Sequence, residues 1–213
     1  MDITWHGHAC FTVRGTSAAV AIDPFGDIGL KEPKLTADIL LVSHDHYDHA
    51  NTGAVDGDPY VVDTPGEYES GGVMIEGIPT YHDDEEGAER GRNTVFSFIV
   101  DGLHLVHLGD LGHVLDEATV EQLGDVDILF IPVGGHFTID AKAAAEVTKR
   151  LQPRITIPMH YQVPKLKIKE LKPVDDFLKQ AGGKVRKLDK KLFKLKPSDL
   201  PEDESLVVVF PNP

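Results

Sequence analysis

Seven consecutive residues, Ser43-His44-Asp45-His46-Tyr47-Asp48-His49, contain three histidines and two aspartates. Imidazoles and carboxylates packed side by side are costly to desolvate. A divalent cation removes that cost by binding neutral imidazole nitrogen and ionised carboxylate oxygen together. The spacing suits such an ion. On an extended turn His44 and His46, two residues apart, project to the same side and can grip one cation. Asp48 and His49 follow where the chain is expected to turn into a helix, and they can face a second one. A histidine-rich polar surface loop is the structural alternative, and it leaves so dense a cluster directly after a buried strand unexplained.

That strand is Ile39–Val42, a continuous apolar run that stops at Ser43 and delivers the cluster to one end of a sheet. Before it, Ile3–Trp5, Phe11–Val13 and Ala19–Ile22 read as strands punctuated by Gly7 and Gly15–Ser17. After it, Tyr60–Val62, Val73–Ile75, Val95–Val100 and Leu103–Leu108 read as strands. The second half alternates. Asp116–Leu123 and Asp140–Leu151 are expected helices, the latter with an Asp cap, and Ile128–Val133 and Ile155–Pro158 are strands between and after them. Pro173–Gln180 is a helix opened by proline and closed by Gly182 and Gly183. Val185–Leu188 and Leu206–Phe210 are the last candidate strands. Strands first and βα units later imply a layered sheet protein with helices outside. Residues 83–93, charged and glycine-punctuated, are the expected mobile loop.

Three further segments carry ligand-type residues, the second and third at strand ends: Pro79-Thr80-Tyr81-His82, Leu105-Val106-His107-Leu108-Gly109-Asp110 and Ile157-Pro158-Met159-His160-Tyr161. Together with His-x-His-x-Asp-His they resemble, in order, the four motifs of the metallo-β-lactamase superfamily. The opening Thr4-Trp5-His6-Gly7-His8-Ala9 is similar to the branch that includes ascorbate 6-phosphate lactonase and N-acylphosphatidylethanolamine phospholipase D. The resemblance implies a four-layer αβ/βα sandwich over a single domain, residues 1–213. It implies that His44, His46 and His82 bind a first metal, that Asp48, His49 and His160 bind a second, and that Asp110 bridges them. Some members carry Glu in place of the second histidine, a pattern associated with di-iron redox sites. His46 stands there in this chain, which favours hydrolysis. Zinc is the first expectation for both ions; mixed imidazole and carboxylate donors also accept manganese, iron or nickel.

Two divalent ions in one cleft supply hydroxide at neutral pH and stabilise the charge that develops on the substrate. Asp48 belongs to that catalytic core. No Gly-x-Ser-x-Gly elbow is present, so a protein nucleophile is not expected. His8, near a strand end, and His136, after the close-approach glycines Gly134 and Gly135, are the candidate side-chain proton donors; His113 is a further candidate for contact with the substrate or with a ligand. His6, His104 and His107 read as ordinary strand residues, and His107 is the rival to His82.

The rest of the composition sets boundaries. The chain has 213 residues and a net charge of −14, which argues against general nucleic-acid affinity. Residues 163–196 run the other way, with 12 basic and 4 acidic side chains. Within them Lys165, Lys167 and Lys169 alternate, so an extended chain would turn all three to one side. If they flank the site they attract an anionic substrate; if not, they are a solvated edge. The expected partner is therefore a small molecule, anionic in the first case, with nucleic acid disfavoured, no membrane, and a second copy of the chain as a further candidate. Cys10 is the only cysteine, and the opening MDITWHGHACF lacks a basic-then-apolar leader, so a cytoplasmic location is expected. The leading function is a metal-dependent hydrolase of a small ester, lactone or phosphodiester. The alternatives are a nuclease and a non-enzymatic metal-binding scaffold.

Overall fold

The computed structural model describes residues 1–213. Its strands, in chain order, are β1 (Asp2–Gly7), β2 (Cys10–Arg14), β3 (Ala19–Ile22), β4 (Leu35–Thr36), β5 (Ile39–Leu41), β6 (Val55–Asp56), β7 (Tyr60–Val62), β8 (Gly66–Ser70), β9 (Val73–Tyr81), β10 (Arg92–Val100) and β11 (Leu103–His107). Then come α1 (Glu117–Leu123), β12 (Ile128–Pro132), α2 (Ala141–Leu151), β13 (Ile155–Met159), α3 (Val174–Leu178), β14 (Lys184–Lys187), β15 (Leu192–Lys194) and β16 (Leu206–Val209). Six strands form one sheet in the order β15-β1-β2-β3-β5-β7, and eight form a second in the order β14-β16-β13-β12-β11-β10-β9-β8. The sheets pack face to face, with the Phe11 ring of β2 4.6 Å from the Phe130 ring of β12.

Burial explains why the strands read as they do. The β1 strand alternates half-buried and buried residues, as a strand with one solvated face must. By contrast β3, β5, β12 and β13 are buried along their whole length and so are covered on both faces. Over β12 the cover is helical: α2 packs on β12, and α1 and α3 pack on α2. Asp116 and Asp140 cap α1 and α2 by accepting the Thr119 and Ala143 N–H groups. In the other half, the crossovers joining the parallel strands β3, β5 and β7 hold only a short 3-10 turn, Thr52–Ala54, and the paired two-residue strands β4 and β6. The helix expected after the histidine cluster is thus reduced to one turn closed by Ala50 N–H on the His46 carbonyl.

Pairing directions fix where the site forms. Strands β3, β5 and β7 run parallel, and β1 is antiparallel to β2, which is antiparallel to β3. In the other sheet β11, β12 and β13 are parallel, and β9 and β11 each pair antiparallel with β10. Strands β1, β3, β5 and β7 of the first sheet, and β9, β11, β12 and β13 of the second, therefore each end at one edge, where open α/β sheets bind their ligands. The residues that leave those ends are His8, Asp23, Ser43–His49, His82, Asp110, Gly134–His136 and His160. No helix is long and apolar enough to cross a membrane.

Candidate metal centre

Asp110 lies at the middle of the site. Its Oδ2 is 3.1 Å from His160 Nε2, 3.2 Å from His82 Nε2 and 4.0 Å from His44 Nε2, and its Oδ1 is 3.2 Å from His49 Nε2. Around it the donor atoms fall into overlapping groups. His44, His46 and His82 bring three imidazole nitrogens within 4.8 Å of one another, and His8, Asp48, His49 and His160 do the same with four donors. All seven residues named as ligands from the sequence meet here, and His8 is inside the cluster with them. His46 is solvent-exposed; His44, His49, His82, Asp110 and His160 are buried.

A layer behind these residues fixes their orientation. Asp23, wholly buried at the end of β3, accepts from the Ser43 N–H (2.8 Å) and the Ser43 hydroxyl (2.7 Å), and it accepts from His49 Nδ1 at 3.0 Å. Because Ser43 Oγ donates to Asp23, it accepts from His44 Nδ1 at 2.9 Å. Both rings thereby donate from Nδ1, and each turns its Nε2 atom toward Asp110. Those two Nε2 atoms and Asp110 Oδ1 are buried without a hydrogen-bond partner. Asn93 holds Asp110 through its N–H (2.9 Å) and ties down the Leu108 carbonyl and Thr80 hydroxyl. Gly109, at φ +56, makes this approach possible, since a Cβ there would stand 2.3 Å from Asn93 Oδ1. Asp23 and Asn93 escaped the sequence reading because they act on ligands far from them in the chain. An aspartate directly after the buried run Ala19–Ile22 was the available signal.

Electrostatics point the same way. Burial, with His49 nearby, pushes the His44 pKa down to about 3, and burial with His160 nearby pushes His8 down to about 4. Both rings are neutral, as a ligand must be. Burial opposes charge on His49 too, but Asp110 and Asp23 outweigh it and hold its pKa well above the ordinary value. Burial disfavours the Asp110 carboxylate, and His160 and His49 overcome this and keep it ionised. Buried Asp110 and half-buried Asp48, set among these imidazoles, complete a donor set that fits divalent cations.

The remaining candidates fall elsewhere. His107 has both nitrogens engaged, by the Ala9 carbonyl (3.0 Å) and the Gly109 N–H (3.1 Å), and is a packed core residue. His6 bonds Thr12, and His104 bonds Ser97 and the Asp125 carbonyl. His113 accepts the Tyr81 N–H at 3.3 Å. His136, exposed and at φ 63, is not in the donor cluster; with Phe137, Arg90 and His113 it lines a cavity of about 400 Å³ that reaches His82. A larger depression of about 1590 Å³, lined by residues such as Lys149, Arg154 and Glu202, lies where β12 and β13 begin, at the edge opposite the cluster.

Two expectations are corrected. Residues 83–93 are not a free loop: the Asp83 carboxylate accepts the N–H groups of Glu85, Gly87, Glu89 and Arg90 at 2.7–3.0 Å, and β10 begins at Arg92. The lysine row does not form either. Residues 164 and 165 make a turn, Lys165 has φ 72, and buried Leu166 anchors the segment. Lys167 pairs with Asp27, and Lys169 folds back on the Leu166 carbonyl. Elsewhere in the basic stretch Lys179 pairs with Asp176, Lys184 with Glu204 and Lys194 with Asp2.

Comparison with known proteins accords with this geometry. Residues 2–160 match the Beta-lactamase superfamily domain. The chain belongs to the metallo-β-lactamase superfamily. A crystal structure from Thermotoga maritima, assigned to the Zn-dependent hydrolases of that superfamily, is 40% identical, covers 98% of both chains and superposes with a TM-score of 0.81. A metal-dependent hydrolase of Thermoplasma volcanium is 33% identical over 191 residues, 76% of this chain and 83% of the relative. One from Archaeoglobus fulgidus is 28% identical over 93% of this chain and 97% of its own length. The protein is a metal-dependent hydrolase of the metallo-β-lactamase superfamily, and its two face-to-face sheets with their helices have that fold.

Proposed function

We propose that this hydrolase works with two metal ions, one held by His44, His46 and His82 and the other by Asp48, His49 and His160, with Asp110 shared. The observation that carries this is the position of one carboxylate, Asp110, within 3.1–4.0 Å of imidazoles from both sets. Two such ions lower the pKa of water and take up the negative charge that develops on a substrate oxygen. The chain's own part is orientation and shielding. Asp23 and Ser43 hold the His44 and His49 rings, while the buried back wall keeps bulk water from the carboxylates. His136, exposed on the wall of the cavity beside His82, is the imidazole available to give a proton to a departing group.

The substrate we infer is a small ester, lactone or phosphodiester, with zinc the preferred ion. A cavity of about 400 Å³ beside His82 supports a small molecule. The lysines of residues 163–196 form no continuous row, and five of them pair with carboxylates, which does not favour the basic groove a nuclease needs. Elemental analysis of the loaded protein, followed by a panel of phosphodiesters, lactones and carboxylic esters, tests the proposal. Two ions and turnover of at least one small substrate are expected. Turnover confined to RNA or DNA, or no turnover with both ions bound, contradicts it.

A further inference from the structure

His8 stands apart from the ligands named so far because it comes from the opposite end of the sequence, at the β1–β2 turn. Its imidazole is buried, its Nε2 is 3.1 Å from Asp48 Oδ2, and its ring centroid lies 4.0 Å from that of His160 and 5.1 Å from that of His49. One donor atom from each of His8, Asp48, His49 and His160 falls within 4.8 Å of every other. Four donors surrounding one ion at metal–nitrogen distances of about 2.0 Å stand about 3.3 Å apart. The His8–Asp48 pair is already at that spacing.

The comparison with His107 is instructive. Both rings are buried, but His107 engages both nitrogens, as a packed core imidazole does. In His8 the Nδ1 has no hydrogen-bond partner, and Nε2 meets only the carboxylate of a residue in the cluster. The backbone is also specialised to hold the ring here. Gly7 and His8 have φ of 118 and 54, and His160 has φ of 52, conformations that non-glycine residues keep where the surroundings enforce them. The enforcement is visible: the His8 carbonyl accepts from Trp5 Nε1 at 3.0 Å and from the His160 N–H at 3.2 Å. Two strained histidines are thus tied to each other by their main chains, with their rings in contact at an interplanar angle of 40°.

We propose that His8 is a further side-chain donor to the Asp48–His49–His160 ion, which with shared Asp110 then has five protein donors against four at the His44–His46–His82 ion, so that the latter keeps the place for substrate. Each added protein donor leaves an ion fewer positions for water or substrate. The open side coincides with exposed His46. The inference rests on the two-ion proposal above and adds a division of labour to it.

The test uses the full chain and its His8→Ala and His8→Gln variants, each loaded with cobalt(II), titrated against a chromophoric chelator and followed by visible absorption. Wild type is expected to bind two ions. Both variants are expected to lose affinity for one of them by roughly 10- to 100-fold, with a change in the absorption of that site alone. Unchanged affinity and spectrum in both variants overturns the proposal. So does full recovery in His8→Gln, whose amide can still donate to Asp48 but is a poor metal ligand; His8 would then only orient that carboxylate. If His8→Ala does not fold, His8→Gln decides. A single ion in wild type contradicts the two-ion proposal instead, and His8 is then judged by whether the variants weaken that one ion.

Discussion

The two sides of the centre are made from the same residue types and held in different ways. His49 and His160 lie in the dry interior, backed by a buried aspartate or tied through a main chain. His46 projects into solvent from the turn next to Tyr47, which is 67% exposed. On the dry side a side chain serves the metal and the fold together, because removing it strands a buried partner. On the wet side water can replace what is lost. Chemical identity alone therefore does not predict what a substitution does.

The largest effect is expected where the sides meet. Asp110→Asn removes the shared anionic charge, so turnover should fall to background and bound metal to one ion or fewer, read by kinetics and elemental analysis. Retention of both ions would separate Asp110 from one side or the other. Next comes the contrast between His49→Ala and His46→Ala in metal-free protein. The first leaves the Asp23 carboxylate without its imidazole and should cost about 1–3 kcal/mol, visible in urea unfolding. The second should leave apo stability unchanged while still abolishing turnover. Equal apo stabilities for the two variants would erase the dry–wet distinction.

Smaller effects sharpen the picture. His136→Gln should slow substrates with poor leaving groups by roughly 10²-fold and spare those with good ones; uniform slowing would give His136 a binding role instead. The smallest effect is expected for Lys167→Ala. With its ammonium paired to Asp27 in solvent, the Michaelis constants for phosphate-bearing and neutral substrates should change little and alike. A selective rise for the charged substrate would restore the lysines to recognition.

What was legible in the sequence follows a physical rule. Strands such as β3, β5, β12 and β13 could be read because burial on both faces demands unbroken apolar runs. The β8 strand, Gly66-Glu67-Tyr68-Glu69-Ser70, could not, because it is an edge strand with no buried residue, held by its ladder to β9 and by half-buried Tyr68. The alternating lysines imitated a strand, yet buried Leu166 and the turn at 164–165 decided the conformation. In the site, the cluster at residues 43–49 announced itself by type and spacing, whereas His82, Asp110 and His160 were legible only through the family resemblance. Asp23 and Asn93 were legible by neither route, since each is a common residue whose work depends on contacts made only after folding. Asp83 was hidden for the same reason: four main-chain N–H groups turn a charged stretch into a fixed wall.

The central claim is that one aspartate joins two ions held by different sides of one cleft. Anomalous scattering at the zinc absorption edge, from crystals of the zinc-loaded protein, tests it most directly. Two peaks are predicted on either side of Asp110, one beside the His44, His46 and His82 nitrogens and the other beside Asp48, His49 and His160. A single peak, or a second peak away from Asp110, would contradict it.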